Sequence, residues 1–263
     1  MITLTLALGV TAYVAADSVT TGNVLGYVKT AAPAADGFEI ISIASFGTND
    51  TVNIQDAIMN LEDLNASTVK ANADKIIVWD GSSYDGYGLY NDNGTNSFWM
   101  STGSAGWDIP SLAVPVNVTI SRQDAVWFQT GTGGTANSIV TSGSVRDDDQ
   151  FDAPVGDGFT LLAYPFTSSI NLTNLVVSNA TASVTKANAD KIIVWNGSSY
   201  DEYGLYDDAG TNAFWMSTSV AGWDISMLAA PTSADLSLGK GFWYKSEDGA
   251  KTLGFEQIYT LSE

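Results

Sequence analysis

The chain of 263 residues contains no cysteine and no histidine. The lack of cysteine excludes disulfide bonds and thiol nucleophiles, and the lack of histidine excludes imidazole bases and the Ser-His-Asp triad. Together the two absences remove the usual ligands of zinc and copper. Catalysis would have to depend on carboxylates, lysine or tyrosine. We therefore expect a protein that is not an enzyme and has no cofactor.

Basic residues are also scarce. Ten lysine and arginine residues stand against 29 aspartate and glutamate residues, which gives a formal net charge of −19. A surface of that sign repels nucleic-acid phosphates and anionic lipid headgroups. We expect no nucleic-acid partner, and no transmembrane span in the mature protein.

The residues that are abundant indicate a folded β protein. Hydrophobic residues make up 45% of the chain and aromatic residues 11%, with 8 tryptophans and 11 tyrosines. Serine, threonine, asparagine and glycine fill much of the rest, which is typical of short strands joined by tight turns.

An internal duplication organises the chain. The segment Ala71–Ile109 returns as Ala187–Ile225 at a constant offset of 116 positions, with seven differences. Weaker similarity continues on both sides, so the chain is two copies of one module. We place the first module at residues 17–145, an acidic linker at 146–154 and the second module at 155–263.

Short apolar stretches bounded by turn residues predict strands in both modules. The run Lys75–Trp79 is apolar on both faces, so we expect it at the centre of a sheet that is covered on both sides. Asn-Gly and Asp/Gly turns predict the hairpin strands 84–90 and 96–101. Asn53 caps a short predicted helix in the first module. The predicted fold is all-β, with two tandem duplicated β-sandwich modules and one short helix in the first.

Three strand motifs carry a resemblance to a known group of proteins. They are "NVLGYVKTAAPAADGFEIIS" (23–42), "DKIIVWDGSSYDGY" (74–87) and the pair "DAVWFQ" (124–129) and "GFWYK" (241–245). The sequence resembles the repeated β-modules of uncharacterised secreted proteins of Verrucomicrobia-like bacteria. The resemblance implies an exported bacterial protein, extracellular or at the cell surface, with a β-fold. It implies nothing about catalysis.

Residues 1–16 have two interpretations. The apolar stretch and the small residues before Asp17 fit a secretory signal peptide, although no basic residue precedes Lys29. The alternation of apolar residues fits instead a strand with one buried face, which a neighbouring subunit accepts as a donor strand. Head-to-tail insertion of that kind does not close, so it builds a homopolymer. The assembly residues of this strand are Ile2, Leu4, Leu6, Leu8, Val10 and Val14.

Repeated aromatic residues suggest a sugar-binding face, although aromatic side chains also fill the cores of β-sandwiches. Two copies of such a face would bind an extracellular polysaccharide with avidity. The candidate glycan-binding residues are Tyr84, Tyr87, Trp99 and Trp107 in the first module and Tyr200, Tyr203, Trp215 and Trp223 in the second.

Acidic residues offer two further chemistries. Oxygen ligands in the acidic turns would suit calcium, but no turn has the spacing of an EF-hand, and hairpin chemistry explains them as well. The candidate calcium ligands are Asp92, Asp147, Asp148, Asp149, Asp207 and Asp208. Paired carboxylates of a glycosidase are the other possibility. The repeated aspartates are Asp74, Asp85, Asp92 and Asp108, and their equivalents Asp190, Asp201, Asp208 and Asp224.

Three functions therefore follow from the sequence, in order of preference. The first is a structural subunit of an extracellular filament or surface layer. The second is a carbohydrate-binding or adhesive cell-surface protein, and the third is a carboxylate-based glycosidase.

Overall fold

Strands dominate the computed structural model, which describes residues 24–42, 50–92, 96–135, 138–145, 148–208 and 212–257. The all-β prediction is confirmed. The predicted donor strand, with Ile2, Leu4, Leu6, Leu8, Val10 and Val14, lies outside these residues. The described residues contain no helix that is long and apolar enough to cross a membrane.

The first module contains nine of the described strands. They are β1 (Val24–Ala31), β2 (Phe38–Ser42), β3 (Thr51–Asn53), β4 (Lys75–Trp79), β5 (Tyr84–Asp92), β6 (Asn96–Ser101), β7 (Thr119–Ser121), β8 (Ala125–Gln129) and β9 (Ser138–Val145). Short 3-10 helices lie at Leu61–Asp63, Ala105–Trp107 and Pro110–Leu112.

The second module contains ten of the described strands. They are β10 (Gln150–Val155), β11 (Gly158–Ala163), β12 (Ile170–Asn171), β13 (Val177–Ser178), β14 (Lys191–Trp195), β15 (Tyr200–Asp208), β16 (Asn212–Ser217), β17 (Asp235–Leu236), β18 (Gly241–Ser246) and β19 (Lys251–Glu256). Its 3-10 helices are Lys186–Asn188, Ala221–Trp223 and Ser226–Leu228.

The duplication in the sequence appears as equivalent sheets. The first module has a five-stranded sheet of order β2-β8-β4-β5-β6, and the second has the order β11-β18-β14-β15-β16. A two-stranded sheet, β3-β7 or β12-β17, accompanies each of them. The remaining sheets are the two-stranded β1-β9 in the first module and the three-stranded β10-β19-β13 in the second. Strand β13 is therefore an addition to the second copy.

The predicted central strand is central. β4 pairs with β8 on one side and β5 on the other, and all these pairs are antiparallel. Along β4 the side chains alternate, so that Ile76 and Val78 face the core of their own module while Trp79 faces the second module. Both faces are covered, as the apolar run predicted.

Each module has its own hydrophobic core on the inner face of its five-stranded sheet. In the first module the sheet packs against the helix and the strands β3, β7 and β9; in the second it packs against β10, β12, β17 and β19. Full burial of one large apolar side chain contributes about 1.5–3 kcal/mol. The fully buried members of the first core include Ile41, Ile54, Ile76, Trp99, Ile120 and Phe128, and those of the second include Leu162, Ile192, Phe242, Tyr244 and Phe255.

The predicted helix is present as α1 (Ile54–Ala57). The Asn53 side chain accepts a hydrogen bond of 2.9 Å from the backbone N–H of Gln55, so Asn53 is the N-cap. The helix is a single turn because the chain becomes extended at Ile58, where φ is −113° and ψ is 123°.

The linker predicted at 146–154 is partly a strand. Residues 150–154 belong to β10, which pairs with β19 of the second module. The buried Arg122 of the first module fixes the start of this segment, because its guanidinium lies 3.0 Å from the Asp148 carboxylate and donates to the carbonyl of Pro165. The same guanidinium lies 4.8 Å from the ring centroid of Phe151. The segment that connects the two modules is therefore held in place by contacts with Arg122.

Candidate functional site

The two modules pack through the outer faces of their five-stranded sheets with an internal two-fold relation. The N–H of Ser42 donates to the carbonyl of Gly239 at 3.0 Å, and the N–H of Ala163 donates to the carbonyl of Gln123 at 2.7 Å. Gln123 and Gly239 are 116 positions apart, and Ser42 and Ala163 end the equivalent strands β2 and β11. The contact therefore uses the same positions of both copies.

The closest approach of the modules occurs where Ala125 meets its equivalent, Gly241. A Cβ atom added to Gly241 would lie 2.3 Å from the Cβ of Ala125 and 2.5 Å from a methyl group of Ile40. Carbon atoms do not approach so closely, so residue 241 must be glycine in this packing.

Two chains of aromatic rings extend from this contact, one on each side of the two-fold relation. In the first chain, successive ring centroids are 6.3, 5.9 and 5.0 Å apart, and in the second they are 6.2, 5.8 and 4.8 Å apart. Four of these pairs have the edge-to-face arrangement that aromatic rings prefer, and the two pairs that end in a tyrosine are tilted by 55° and 60°. The first chain is Phe38, Trp127, Trp195 and Tyr200; the second is Phe159, Trp243, Trp79 and Tyr84.

A groove of about 390 Å³ opens between the modules beside the first chain of aromatic rings. We call it the intermodule groove. Its walls come from both modules, and its size and aromatic lining are typical of small-molecule sites, which often lie between domains. Tyr84 and Tyr200 are 52% and 49% exposed, so a ligand reaches both rings directly. The lining residues are Phe38, Ile77, Tyr84, Trp127, Trp195 and Tyr200.

The polar groups of the intermodule groove are few. The indole N–H of Trp195 donates to the carbonyl of Phe38 at 3.0 Å, and Trp127 hydrogen-bonds the Tyr84 hydroxyl. Burial raises the pKa of the Tyr84 hydroxyl, and the neighbouring Tyr200 raises it further, against the hydrogen bond from Trp127. Burial and the neighbouring Tyr200 therefore both favour the neutral Tyr84 phenol at physiological pH.

Of the predicted glycan-binding residues, only Tyr84 and Tyr200 line this groove. Trp99 and Trp215 are 0% and 2% exposed, so no ligand reaches them in this structure. Tyr87 and Tyr203 are half-buried and pack against the cores of their modules. Their apolar contacts explain their repetition without a ligand.

The other two predicted residues, Trp107 and Trp223, fix a loop on each module. We call residues 105–114 and 221–230 the outer loops. The indole N–H of Trp107 donates to the carbonyl of Ser101 at 2.8 Å, and that of Trp223 makes the equivalent bond at 2.9 Å. Each indole lies over a glycine, Gly88 or Gly204, where an added Cβ would be 2.7 Å from the ring.

The outer loops expose apolar side chains at equivalent positions. Ile109 and its equivalent Ile225 are 50% and 47% exposed, and Leu112 and its equivalent Leu228 are 51% and 55% exposed. Val114 and Met227 are also exposed, at positions where the other copy has Ala230 and Ser111. Each loop follows the edge strand, β6 or β16, that lies farthest in its sheet from β2 or β11. The exposed apolar residues are Ile109, Leu112 and Val114 in the first loop and Ile225, Met227 and Leu228 in the second.

Sequence reasoning missed four of the six groove residues: Phe38, Ile77, Trp127 and Trp195. The signal was present in part, because both faces of Lys75–Trp79 and its copy are apolar and the outer face needs a cover. That the cover is the other copy of the module follows only from how the modules pack.

The aspartates proposed for hydrolysis include two that lie in the protein interior. Asp74 is 3% exposed, and its carboxylate accepts hydrogen bonds from the N–H groups of Gly131 (2.8 Å) and Asn65 (2.9 Å). Burial raises its pKa, against the lowering effect of these bonds. The Asp74 carboxylate therefore fixes two loops around β4.

The equivalent Asp190 is fully buried and has stronger partners. Its carboxylate accepts from the hydroxyl of Tyr244 (2.6 Å), the ammonium of Lys251 (2.9 Å) and the N–H groups of Thr181 (2.7 Å) and Glu247 (2.9 Å). Burial and the Asp190 carboxylate raise the pKa of Tyr244. Burial alone would lower the pKa of Lys251, but the carboxylates of Asp190 and Asp248 outweigh this effect and raise it. This group is a structural network.

The predicted calcium ligands do not assemble within the described ranges. Asp148 is paired with Arg122, and Asp147 lies outside the described residues. Asp92 and Asp208 end β5 and β15, beside turns whose residues 93–95 and 209–211 are also outside. No group of three or more acidic, cysteine or histidine residues in the described part of the chain is placed to hold a metal ion. Calcium binding stays a prediction.

Comparison with known proteins gives no relative: no protein-family model, no curated sequence and no solved structure matches the chain.

Proposed function

We propose that the protein is a non-enzymatic structural subunit of an extracellular filament or surface layer, which assembles through contacts between modules of neighbouring copies. The observation that carries the proposal is the exposed apolar surface of the two outer loops, which share exposed residues at two equivalent positions, Ile109/Ile225 and Leu112/Leu228. Contiguous exposed apolar patches on soluble proteins mark interaction sites.

The outer loops are prepared for contact because they are already ordered. The indole of Trp107 anchors the first loop to β6, and the N–H of Ile109 donates to the carbonyl of Ala105 at 2.9 Å. The second loop repeats these bonds with Trp223 and Ile225. A rigid apolar surface loses little conformational entropy when it is buried.

Valency favours a polymer over a dimer. Each chain has two outer loops, and a contact between two copies occupies one loop of each when the loops pair. The second loop stays available for the next copy, so the contact repeats without closing. The donor strand predicted at residues 1–16 remains a second, independent route to head-to-tail assembly.

The high negative charge is compatible with this function. A net charge of −19 keeps copies soluble and apart until an apolar contact or screening by salt overcomes the repulsion. Assembly is therefore expected to strengthen as the ionic strength rises. The resemblance to secreted β-modules implies export, so we propose that the assembly forms outside the cell or at its surface.

Matched substitutions test the proposal. We expect sedimentation velocity and electron microscopy to show polymers of the full chain in moderate salt. Leu112→Glu and Leu228→Glu alter equivalent exposed residues, one in each module; either variant alone should form nothing larger than a dimer, and the double variant should be a monomer. Val176→Glu, at an exposed valine outside both outer loops, is the control and should assemble normally.

The result that contradicts the proposal is equally specific. A wild-type chain that stays monomeric under these conditions rules out assembly through the outer loops. Polymers of the double variant equal to those of the wild type would place the contact elsewhere, and deletion of residues 1–16 would then test the donor strand.

A further inference from the structure

The intermodule groove is separate from the outer loops and has a chemistry of its own. Its lining consists of five aromatic side chains and one isoleucine. Of its polar groups, the indole N–H of Trp195 is already bonded to the Phe38 carbonyl, and that of Trp127 to the Tyr84 hydroxyl. The two phenol hydroxyls are therefore the main groups left for a ligand. A sugar ring with several hydroxyls would leave many of them unpaired in this groove, which is costly.

Charge selects against anionic ligands and in favour of cations. None of the six lining residues is basic, and the chain as a whole has a net charge of −19. Aromatic rings present a negative face to a ligand above them, and tryptophan does so most strongly. The groove thus combines a negative overall field with several ring faces.

The two-fold relation supplies a direct structural parallel. In the second module, Phe159 pairs with Lys245 across β11 and β18, and the Lys245 ammonium lies 5.7 Å from the Phe159 ring centroid. In the first module, the equivalent pair on β2 and β8 is Phe38 and Gln129. One copy thus supplies its own cation to the terminal ring of its aromatic chain. The first module, whose Phe38 lines the groove, has the neutral Gln129 at the same position.

We propose that the intermodule groove binds an organic cation with a methylated ammonium group. Such a group needs no hydrogen-bond partners, because its positive charge is spread over methyl groups that pack against ring faces. Free quaternary ammonium compounds and the headgroups of larger molecules share this chemistry. The proposal does not depend on filament assembly, since the outer loops contribute no residue to the groove.

Choline and its neutral isostere, 3,3-dimethylbutan-1-ol, separate the contribution of the positive charge from that of apolar packing. Both have the same shape, but only choline has the charge. Titration of the full chain, followed by tryptophan fluorescence and calorimetry, should give saturable choline binding at least about tenfold tighter than binding of the alcohol. Choline phosphate, used as a headgroup probe, should compete with choline for the site.

Gln129→Lys is the decisive variant because the second module tolerates lysine at the equivalent position. It should place an internal cation beside Phe38 and weaken choline binding about tenfold while thermal unfolding stays unchanged. Tyr200→Ala removes an exposed ring and should weaken binding as well. Tyr27→Ala removes a 73% exposed tyrosine that is not part of the groove and should leave binding unchanged.

Three outcomes overturn the proposal. Equal affinity for choline and the alcohol makes the groove a purely apolar site. Saturable binding of a neutral oligosaccharide that choline does not displace, lost in Tyr200→Ala, makes it a sugar site. Choline binding that persists unchanged in both Gln129→Lys and Tyr200→Ala places the cation elsewhere.

Discussion

Asp74 and Asp190 occupy the same position in the two modules, directly before the central strand, yet they are held in different ways. Asp190 lies against a lysine and a tyrosine hydroxyl, whereas the Asp74 carboxylate accepts only neutral amide hydrogen bonds among those described for it. The tyrosine that bonds Asp190, Tyr244, corresponds to Phe128 in the first module. The fold thus requires a buried acceptor at this position, and the partners that satisfy it have diverged.

The largest difference between the modules should appear when each carboxylate is made neutral. Asp190→Asn leaves the partly buried Lys251 with a weaker partner and should lower the free energy of unfolding by about 3 kcal/mol. Asp74→Asn should cost only about 1 kcal/mol, because the charge it removes is one that burial disfavours. Urea denaturation of both variants measures the difference. Equal losses would mean that Lys251 adds nothing to the second network.

The glycines beneath Trp107 and Trp223 should instead give equal effects. Gly88→Ala and Gly204→Ala each place a methyl group 2.7 Å from an indole ring in the same geometry. Each should cost about 1–3 kcal/mol, because the ring or the strand must move. Gly156→Ala, whose added Cβ would find its nearest neighbour at 3.9 Å, is the control. Thermal unfolding that separates the two variants clearly would show that the outer loops differ in rigidity.

The smallest effect is the response to alkaline pH, which should come from the second module. The pKa of Lys251 is raised in the folded protein, so its stabilising contribution is complete below its unfolded pKa, near 10.5. That contribution is lost as the pH rises through the higher folded value. The raised pKa of Tyr244 acts in the same direction, since the folded state holds a proton that the unfolded state releases near pH 10.

Urea denaturation between pH 9 and pH 11 measures this loss of stability. Lys251→Met should flatten the dependence, and Lys186→Met, at an exposed lysine, should leave it as in the wild type. An unaltered slope in Lys251→Met would assign the alkaline sensitivity to other groups.

Local structure was largely predictable because it depends on neighbouring residues. The strands Lys75–Trp79, Asn96–Ser101 and Ser138–Val145 appear with the predicted bounds. The cap at Asn53 is also present, but the helix after it has only four residues. Ile58 and Leu64, which would lie on the apolar face of a longer helix, are buried all the same, but both have extended backbone.

The candidate site was predictable only at its edge. Tyr84 and Tyr200 were among the predicted residues because aromatic residues recur at these positions in both copies. Trp99 and Trp215 occupy the same kind of strand, and only the direction of the side chain relative to the sheet distinguishes a core residue from a surface one. Trp127 and Trp195 belong to the groove because the two sheets pack together. The apolar outer face of Lys191–Trp195 indicates that something covers it, but no local pattern shows that the cover is the other module.

The single difference between Ala125 and Gly241 decides which modules can pair. Two first modules brought together in this geometry would set one Ala125 methyl against another at an impossible distance, and two second modules would leave a gap between two glycines. Only a first module facing a second module fills the contact. The covalent chain always supplies that pair at high effective concentration. A mixture of separated modules would therefore be expected to form unlike pairs, and in the whole chain the covalent link favours pairing of its own two modules.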